Sequence, residues 1–483
     1  MAIRAGQILH SGNSFVIDRI QTGGPGNLNI PQEKIRELGN YQTVGIVRDV
    51  PDLSFNLDCL DVSTEIEAIL TGSSNPSGDP DGTEYQLLNA VPLDILSPWK
   101  SPYGAFTIVK GCAVPQLTLE SASYRYGLRE NAAEQFTLRG DAIFYVPGVP
   151  MRDEFTGDGS TTVFAYVGGP ASLYEEGGDE IYALNVAVDG IRQVLGTDYT
   201  ADDTAVTFMV APANGKTIAV VYGSTDATSY LQAVHEGVSV KPAAIRGKDI
   251  EVYFSTAIAF GGGISNKALT SNIATLTTSS AHGLTVGDVV TISGVDSTFN
   301  GTFTVASTPT GTTFTYAKTA GNVASAAVSP VGKGTRPVEV LWPDVQSVNI
   351  DWRVTLEDDY QFGDPRAVAR EATDVPEVTG NLGLRPRSLE YLFTRLAQIT
   401  GVDPANVIGP QSSVAGALRI VLKNPDSGGT TAVPAGTVLK THYMPAARFV
   451  IPGYEGRVQQ KVDMTLNFET DDGVLETYRG DRP

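Results

Sequence analysis

Cysteine, histidine and net positive charge are scarce in this chain, and each shortage excludes a class of protein. Two cysteines in 483 residues, Cys59 and Cys112, cannot staple a small secreted fold, whose framework takes several bridges. Both sit in apolar, strand-like stretches and read as buried thiols. The four histidines, His10, His235, His282 and His442, lie far apart with no Cys or carboxylate beside them at metal-ligand spacing, so no metal site is expected and structural roles are assigned to all four. His282 reads as a turn residue within Ala-His-Gly, and His442 as a strand residue. No apolar run nears the ~18 residues of a membrane helix. The opening Met-Ala-Ile-Arg-Ala lacks the apolar centre of a signal peptide, so the expectation is a soluble chain made in the cytoplasm, with no membrane partner.

The formal net charge is −20, which argues against a surface that grips phosphate backbones, because that affinity comes largely from Lys and Arg. An acidic balance does suit a conduit that must not hold a polyanion, although simple solubility explains it equally well. Catalytic signatures are missing too. Gly-x-Ser-x-Gly elbows are absent. GGPG at Gly23 to Gly26 lacks the lysine and helix of a phosphate loop and reads as a flexible turn. GDGST at Gly157 to Thr161 lacks the later acidic positions of a calcium loop. The pairs Asp358-Asp359 and Asp471-Asp472 read as solvated turn residues. The expectation is therefore a protein that is not an enzyme, with no catalytic, cofactor-binding or metal residues and no cofactor.

What the chain does hold is glycine (51), proline (28), 41% apolar residues and only 18% charged ones. That composition buries real cores and favours many short strands joined by turns, in roughly three or four units. Stretches such as Lys248 to Phe254, Val345 to Val354 and Lys461 to Phe468 alternate apolar and polar residues, one buried and one wet face per strand.

The strongest signal is an internal duplication. DVPDLSFNLDCLDVSTEIEAILTG (Asp49 to Gly72) aligns with DVPEVTGNLGLRPRSLEYLFTRLAQITG (Asp374 to Gly401), and TIVKGCAVP (Thr107 to Pro115) with TVLKTHYMP (Thr437 to Pro445). Leu38-Gly39-Asn40 corresponds to Phe362-Gly363-Asp364, and YRYGLRENAAEQFTL to GYEGRVQQKVDMTLNF around Gly127 and Gly456. Each copy is predicted to carry strands and one helix packed on a sheet. The first helix presents Ile66, Ile69 and Leu70 inward, with a Thr64-x-x-Glu67 capping box and Gly72 as its left-handed stop. The second presents Leu389, Leu392, Phe393 and Leu396 on one stripe, with Ser388 capping its start.

The division follows: copy 1 over 1–150, an inserted β-sandwich module over 151–224, copy 2 over 225–262 and 334–483, and an inserted small β-barrel module over 263–333. The first insertion shows VAVDG, GTDYT and an Ala-Pro-Ala-Asn-Gly turn, and is similar to small sandwich modules of phage tail and fibre proteins. The second, AHGLTVGDVVTISGVDSTFNGTFTV, resembles a compact barrel repeat of phage structural proteins that is named from ubiquitin-activating enzymes. Insertions that spare an interface are expected on an exterior face.

Together DVPDLSFNLD, STEIEAILTG and GYEGRVQQKVDMTLNF ahead of Asp471-Asp472-Gly473 resemble the tail-tube proteins of long-tailed bacteriophages. The resemblance covers most of both copies and neither insertion. It implies a mainly β fold: two tandem tail-tube-like sandwiches or half-barrels, each with a flanking α-helix. It implies a homo-oligomer, three two-copy chains closing a pseudo-sixfold ring that stacks into a tube. Its partners would be tape-measure, tail-tip and terminator proteins, with DNA passing the lumen without specific binding, in the virion tail. From the net charge and strand alternation, carboxylates are expected to line that lumen, and the loops after Gly39 and Gly363 to mediate stacking. Another virion part, a capsid or decoration protein, is the alternative, but the long spine helix of a common capsid subunit is not visible. A secreted, modular carbohydrate-binding or hydrolytic protein would need a signal peptide and aromatic platforms or paired acids, and neither is found.

Overall fold

The computed structural model describes residues 7–11, 13–17, 20–29, 32–35, 45–48, 51–60, 63–73, 78–100, 108–128, 130–146, 148–176, 179–225, 245–342, 344–361, 366–385, 414–425, 434–450 and 464–482. Among these the fold is mainly β. The expected flanking helix in each copy is not borne out. The described residues hold one α-helix, α1 (Glu65–Leu70), of six residues, and the second predicted helix, 389–400, lies outside them. Six residues make fewer than two turns, too short to stand without the core under them. Ile66, Ile69 and Leu70 do point into that core, each at most 3% exposed. Gly72 takes φ +84, and the bonds Gly72 N–H to Ile69 O and Ser73 N–H to Ala68 O close the helix as a Schellman motif.

Copy 1 contains β1 (Gln7–Ser11), β2 (Asn13–Ile17), β3 (Ile20–Asn29), β4 (Gln32–Ile35), β5 (Gly45–Arg48), β6 (Asp52–Cys59), β7 (Glu84–Gln86), β8 (Leu93–Lys100), β9 (Ile108–Gly127), β10 (Ala133–Gly140) and β11 (Phe144–Val146). Two runs of paired strands meet in it, β2-β1-β8-β9-β11 and β3-β6-β10-β9. The twenty-residue β9 serves both, its first half in one and its second half in the other. Alternation explains the faces: β10 buries every second side chain, Phe136 and Leu138 among them, at 1% exposure each. The Gly23–Gly26 stretch is a correction to the sequence reading. It lies inside β3 and not in a turn, and glycines there let the strand kink between Pro25 and Leu28.

The first insertion adds β12 (Val149–Thr156), β13 (Val163–Ala165), β14 (Tyr174–Glu176), β15 (Asp179–Ile181), β16 (Ala183–Val188), β17 (Ile191–Arg192), β18 (Tyr199–Ala201), β19 (Ala205–Phe208) and β20 (Thr217–Ser224). Sheets β12-β20-β16-β17 and β13-β19-β18 enclose a core of Met151, Val186, Val206, Val220 and Tyr222. Leu96, Ala113, Phe144 and Val146 of copy 1 belong to that same core.

Copy 2 opens with β21 (Ile250–Ala259). The second insertion supplies β22 (Ile264–Thr270), β23 (Ile273–Thr278), β24 (Val289–Ser293), β25 (Gly301–Thr310), β26 (Thr313–Ala317) and the first half of β27 (Val323–Leu341). Pairings run β22-β23-β26-β25-β24-β27 and back to β22, a closed six-stranded barrel. Closure leaves no free edge. Its own core holds Leu276, Val290, Ile292, Phe299, Phe314 and Tyr316. Copy 2 continues through β28 (Val345–Arg353), β29 (Leu356–Tyr360), β30 (Ala367–Ala372), β31 (Glu377–Leu384), β32 (Val414–Lys423), β33 (Val438–Val450), β34 (Met464–Thr470) and β35 (Glu476–Arg479).

The strand registers of the two copies coincide along most of their length, several irregularities included. In copy 1 Leu57 faces Gly23 on one side and Phe136 on the other; in copy 2 Leu382 faces Val348 and Leu466. The slip between Ile20 and Thr22 recurs between Val345 and Ser347. The β8–β9 hairpin slips at Leu93/Ile95 and Trp99/Lys100, and β32–β33 at the matching Gly416/Leu418 and Leu422/Lys423. Likewise β1–β2 corresponds to β21–β27, since Leu9 faces Phe15 and Ile95 as Phe254 faces Val340 and Leu418. Where β1 of copy 1 is followed by its partner β2, copy 2 carries the barrel between β21 and its partner β27. One core, from Leu53 and Phe136 to Leu382 and Phe468, runs through both copies.

Candidate functional site: the joint between the copies

The copies meet edge to edge. β9 of copy 1 pairs with β28 of copy 2, from Gly127 opposite Ser347 to Ser121 opposite Arg353, so β3-β6-β10-β9 continues directly into β28-β31-β34-β33. A second seam pairs β7 with β35, Tyr85 opposite Thr477.

Between these seams lies a sealed polar cluster. β33 projects Lys440 and His442, β35 projects Thr477, α1 projects Glu67, β10 projects Glu134 and β9 projects Tyr124 and Tyr126, all at most 2% exposed. Lys440 Nζ donates to Glu67 Oε1 at 2.6 Å and to Glu134 Oε1 and Oε2 at 2.7 and 2.9 Å. Tyr124 donates to Glu67 Oε1 at 3.1 Å and Tyr126 to Glu134 Oε1 at 3.2 Å. The His442 ring contacts the Tyr126 hydroxyl at 2.8 Å through Nε2 and Thr477 Oγ1 at 3.0 Å through Nδ1. With the Tyr126 proton directed to Glu134, the assignment that satisfies all three places the imidazole proton on Nε2.

Burial alone would push Lys440 down; the Glu134 and Glu67 carboxylates outweigh it and hold the ammonium above its usual value. Burial, with Lys440 next, keeps His442 neutral, its pKa well below 6.5. Burial first, then the carboxylates, raises both tyrosines well above 10.0. Charges so deep are costly unless paired and hydrogen-bonded, and the ion pairs here, Lys440 with Glu67 and Glu134, each join copy 2 to copy 1. The cluster therefore ties copy 2 to copy 1.

A third contact is a clasp. The β29–β30 hairpin of copy 2 lies over copy 1 and the first insertion. Arg370, 3% exposed, pairs with Asp141 and with Asp358 Oδ1 at 2.9 Å, and donates to the Gln116 carbonyl at 3.2 Å. Ala367 N–H donates to Asp141 Oδ2 at 2.9 Å. Burial raises the Asp141 pKa above its usual value even with Arg370 opposing. Arg139 of copy 1 reaches Asp358 Oδ2 at 3.0 Å. From the insertion, Arg192 donates to the Ala367 and Arg366 carbonyls at 3.1 and 3.0 Å.

Several sequence expectations change here. Asp358 is a strand residue in an ion-pair network, 10% exposed, and not a solvated turn carboxylate. Glu67 does not cap α1. The Thr64 side chain makes no capping bond, and the Glu67 side chain belongs to Lys440. His282 sits buried in the irregular segment between β23 and β24, accepting from Leu284 N–H at Nδ1 and contacting the Thr310 carbonyl through Nε2. His10 lies on β1, His442 in the cluster, and His235 outside the described residues. Asp158 of GDGST is occupied by Ser160 and Thr161, whose hydrogen bonds hold it below its usual pKa. Cys59 and Cys112 are buried, and burial pushes the Cys112 thiol up to about 12. Among the described residues no three His, Cys, Asp or Glu gather as metal ligands, and no helix is long and apolar enough to cross a membrane. The Lys440 cluster was missed by the sequence reading; its one trace was the lysine kept in both TIVKGCAVP and TVLKTHYMP.

No family model matches the chain, and no curated protein matches it. A solved structure, "Phage phi92 endosialidase", is similar over 45% of this chain and 52% of that chain, at 9% identity and a TM-score of 0.14. The chain thus spans about half the length of that protein, and a superposition so poor carries no argument about fold or function.

Proposed function

We propose that this chain is a non-enzymatic structural subunit of a bacteriophage tail tube, in which two fused copies of one β domain supply two successive positions of a ring. The observation that carries this reading is the β9–β28 seam. It is a head-to-tail contact between equivalent domains, because β28 corresponds to β3 and not to β9. A head-to-tail contact has an unused donor surface at one end and an unused acceptor at the other; repetition closes a ring or continues as a filament. Among the described strands β3 pairs only with β6, so the equivalent edge of copy 1 is available. Three chains would give six domain positions. The rings would stack around an acidic lumen that passes DNA without holding it, between tape-measure, terminator and tail-tip partners in the virion. The domain division given above and the lumen-facing carboxylates belong to this proposal. A closed barrel with its own core, set between the paired strands β21 and β27, fits a module displayed on the outside.

Negative-stain electron microscopy of the purified chain tests this. Hollow rings or tubes with threefold symmetry support it; solid lattices or closed shells would transfer the reading to a capsid or decoration role.

A further inference from the structure

We propose that neighbouring chains recognise each other through a charge-reversed version of the clasp that already joins the two copies, with Lys34 of one chain seated on Glu469 of the next. The inference rests on the ring reading above and adds to it the contact that fixes which copy meets which. The partner is a second molecule of this same chain.

Within the chain, the copy 2 hairpin reaches copy 1 through Asp358, which Arg139 holds at 3.0 Å. The copy 1 hairpin β4–β5 is its counterpart. Gln32 faces Arg48, Glu33 faces Val47, Lys34 faces Ile46 and Ile35 faces Gly45. Leu356 faces Ala372, Glu357 faces Glu371, Asp358 faces Arg370 and Asp359 faces Ala369. The two hairpins superimpose at an offset of 324 (358 − 34) at every one of these pairs. The preceding strands arrive at the same offset independently. Pro25 corresponds to Ile350, and after the extra residue in β3, Leu28 corresponds to Trp352, 324 positions on. Lys34 thus occupies the position of Asp358.

On the receiving side, Arg139 faces Ser54 in β10–β6, and Glu469 faces Thr379 in β34–β31, so Glu469 occupies the position of Arg139. The pair Arg139–Asp358 inside the chain becomes Glu469 and Lys34 between chains, with both signs exchanged. Asp52, which also touches Arg139 at 3.2 Å, corresponds to Glu377, so the receiving surface of copy 2 carries two acids, both exposed. The cation opposite Glu469, Arg448, is engaged by Asp471. Mispairing is penalised: a copy 1 hairpin on copy 1 would set Lys34 against Arg139, and a copy 2 hairpin on copy 2 would set Asp358 against Glu469. Like charges so juxtaposed are a strong selector of partners. The charge pattern thus agrees with the alternation that the in-chain seam already imposes and disfavours any exchange of hairpins between chains.

The test uses the full chain in four forms: unaltered, Lys34→Glu, Glu469→Lys and the double variant. Assembly is followed by sedimentation and electron microscopy, and zero-length carbodiimide cross-linking is mapped on a mixture of heavy- and light-isotope protein. The expected result is an interchain Lys34–Glu469 link in the unaltered chain. Each single variant should need about tenfold more protein to assemble, and the double variant should recover to within about threefold. Rings that form equally well in all four, or without the link, overturn this inference and leave the tube reading standing. A chain that stays monomeric at every concentration, with no link, overturns both.

Discussion

Copy 1 and copy 2 share strand order, most of their register and several of their slips, yet they differ in what those frames carry. At corresponding places copy 1 has Cys112 and copy 2 His442, and where β1 is followed by β2 in copy 1 a six-stranded barrel stands between the paired β21 and β27 of copy 2. Backbone pairing is indifferent to side-chain identity provided the buried face stays apolar, so register outlasts sequence. Residues at the joint are not so free. Each must complement a surface that differs from its own counterpart, and chemistry diverges there first.

The sharpest way to break the comparison is at Lys440. Replacing it by Met leaves Glu67 and Glu134 buried without their cation, and should cost about 3–5 kcal/mol in equilibrium denaturation. Adding Glu67→Gln and Glu134→Gln should return most of it; a loss under ~1 kcal/mol from Lys440→Met would show that the cluster does not hold the copies together. Arg370→Ala removes the clasp from copy 2 only, and about 2 kcal/mol of stability is expected to go with it. Hydrogen exchange should quicken over 366–372 and stay unchanged in the barrel; uniform quickening would contradict a local clasp.

The next effect is one of pH. His442 has a folded-state pKa well below 6.5, so the unfolded chain binds a proton the folded one refuses. That stability is intact above pH 6.5 and falls as the pH drops below it, by up to about 1.4 kcal/mol per pH unit. His442→Cys, the copy 1 residue, should flatten the slope between pH 6.5 and 5, and an unchanged slope would assign it elsewhere. The smallest effect concerns the barrel. Exchanging 260–334 for an Asn-Gly turn makes copy 2 resemble copy 1, and should change the stability of the remainder by less than about 1 kcal/mol. Unfolding of the whole chain would mean that the barrel core is not its own.

Much of this frame was legible before any coordinates. The alternation of Val345 to Val354 and of Lys461 to Phe468 marked β28 and β34, and the repeated blocks marked equivalent strands because duplicated sheets must keep matching apolar faces. The place of the barrel inside a hairpin followed from strands broken by a Ser, Thr and Gly-rich run. The joint was not legible. Lys440, Glu67 and Glu134 are separated by hundreds of positions, and isolated charges in strands normally read as solvated. Thr64 and Glu67 have the spacing of a capping box, and it is the Lys440 ammonium, brought in on β33, that holds Glu67 inward. The Gly-Gly-Pro-Gly run reads as a turn by composition, whereas its neighbour β6 pairs it into a sheet.

β27 runs nineteen residues without a break, from the barrel wall, where it pairs with β22 and β24, into copy 2, where it pairs with β21. Its ladder to β22 slips between Ala327 and Gly332, yet the strand carries on through that stretch and is bonded again on its far side. The barrel is thus mounted as on a stiff mast, and a push on its outer face arrives at β21 as torque on the sheet.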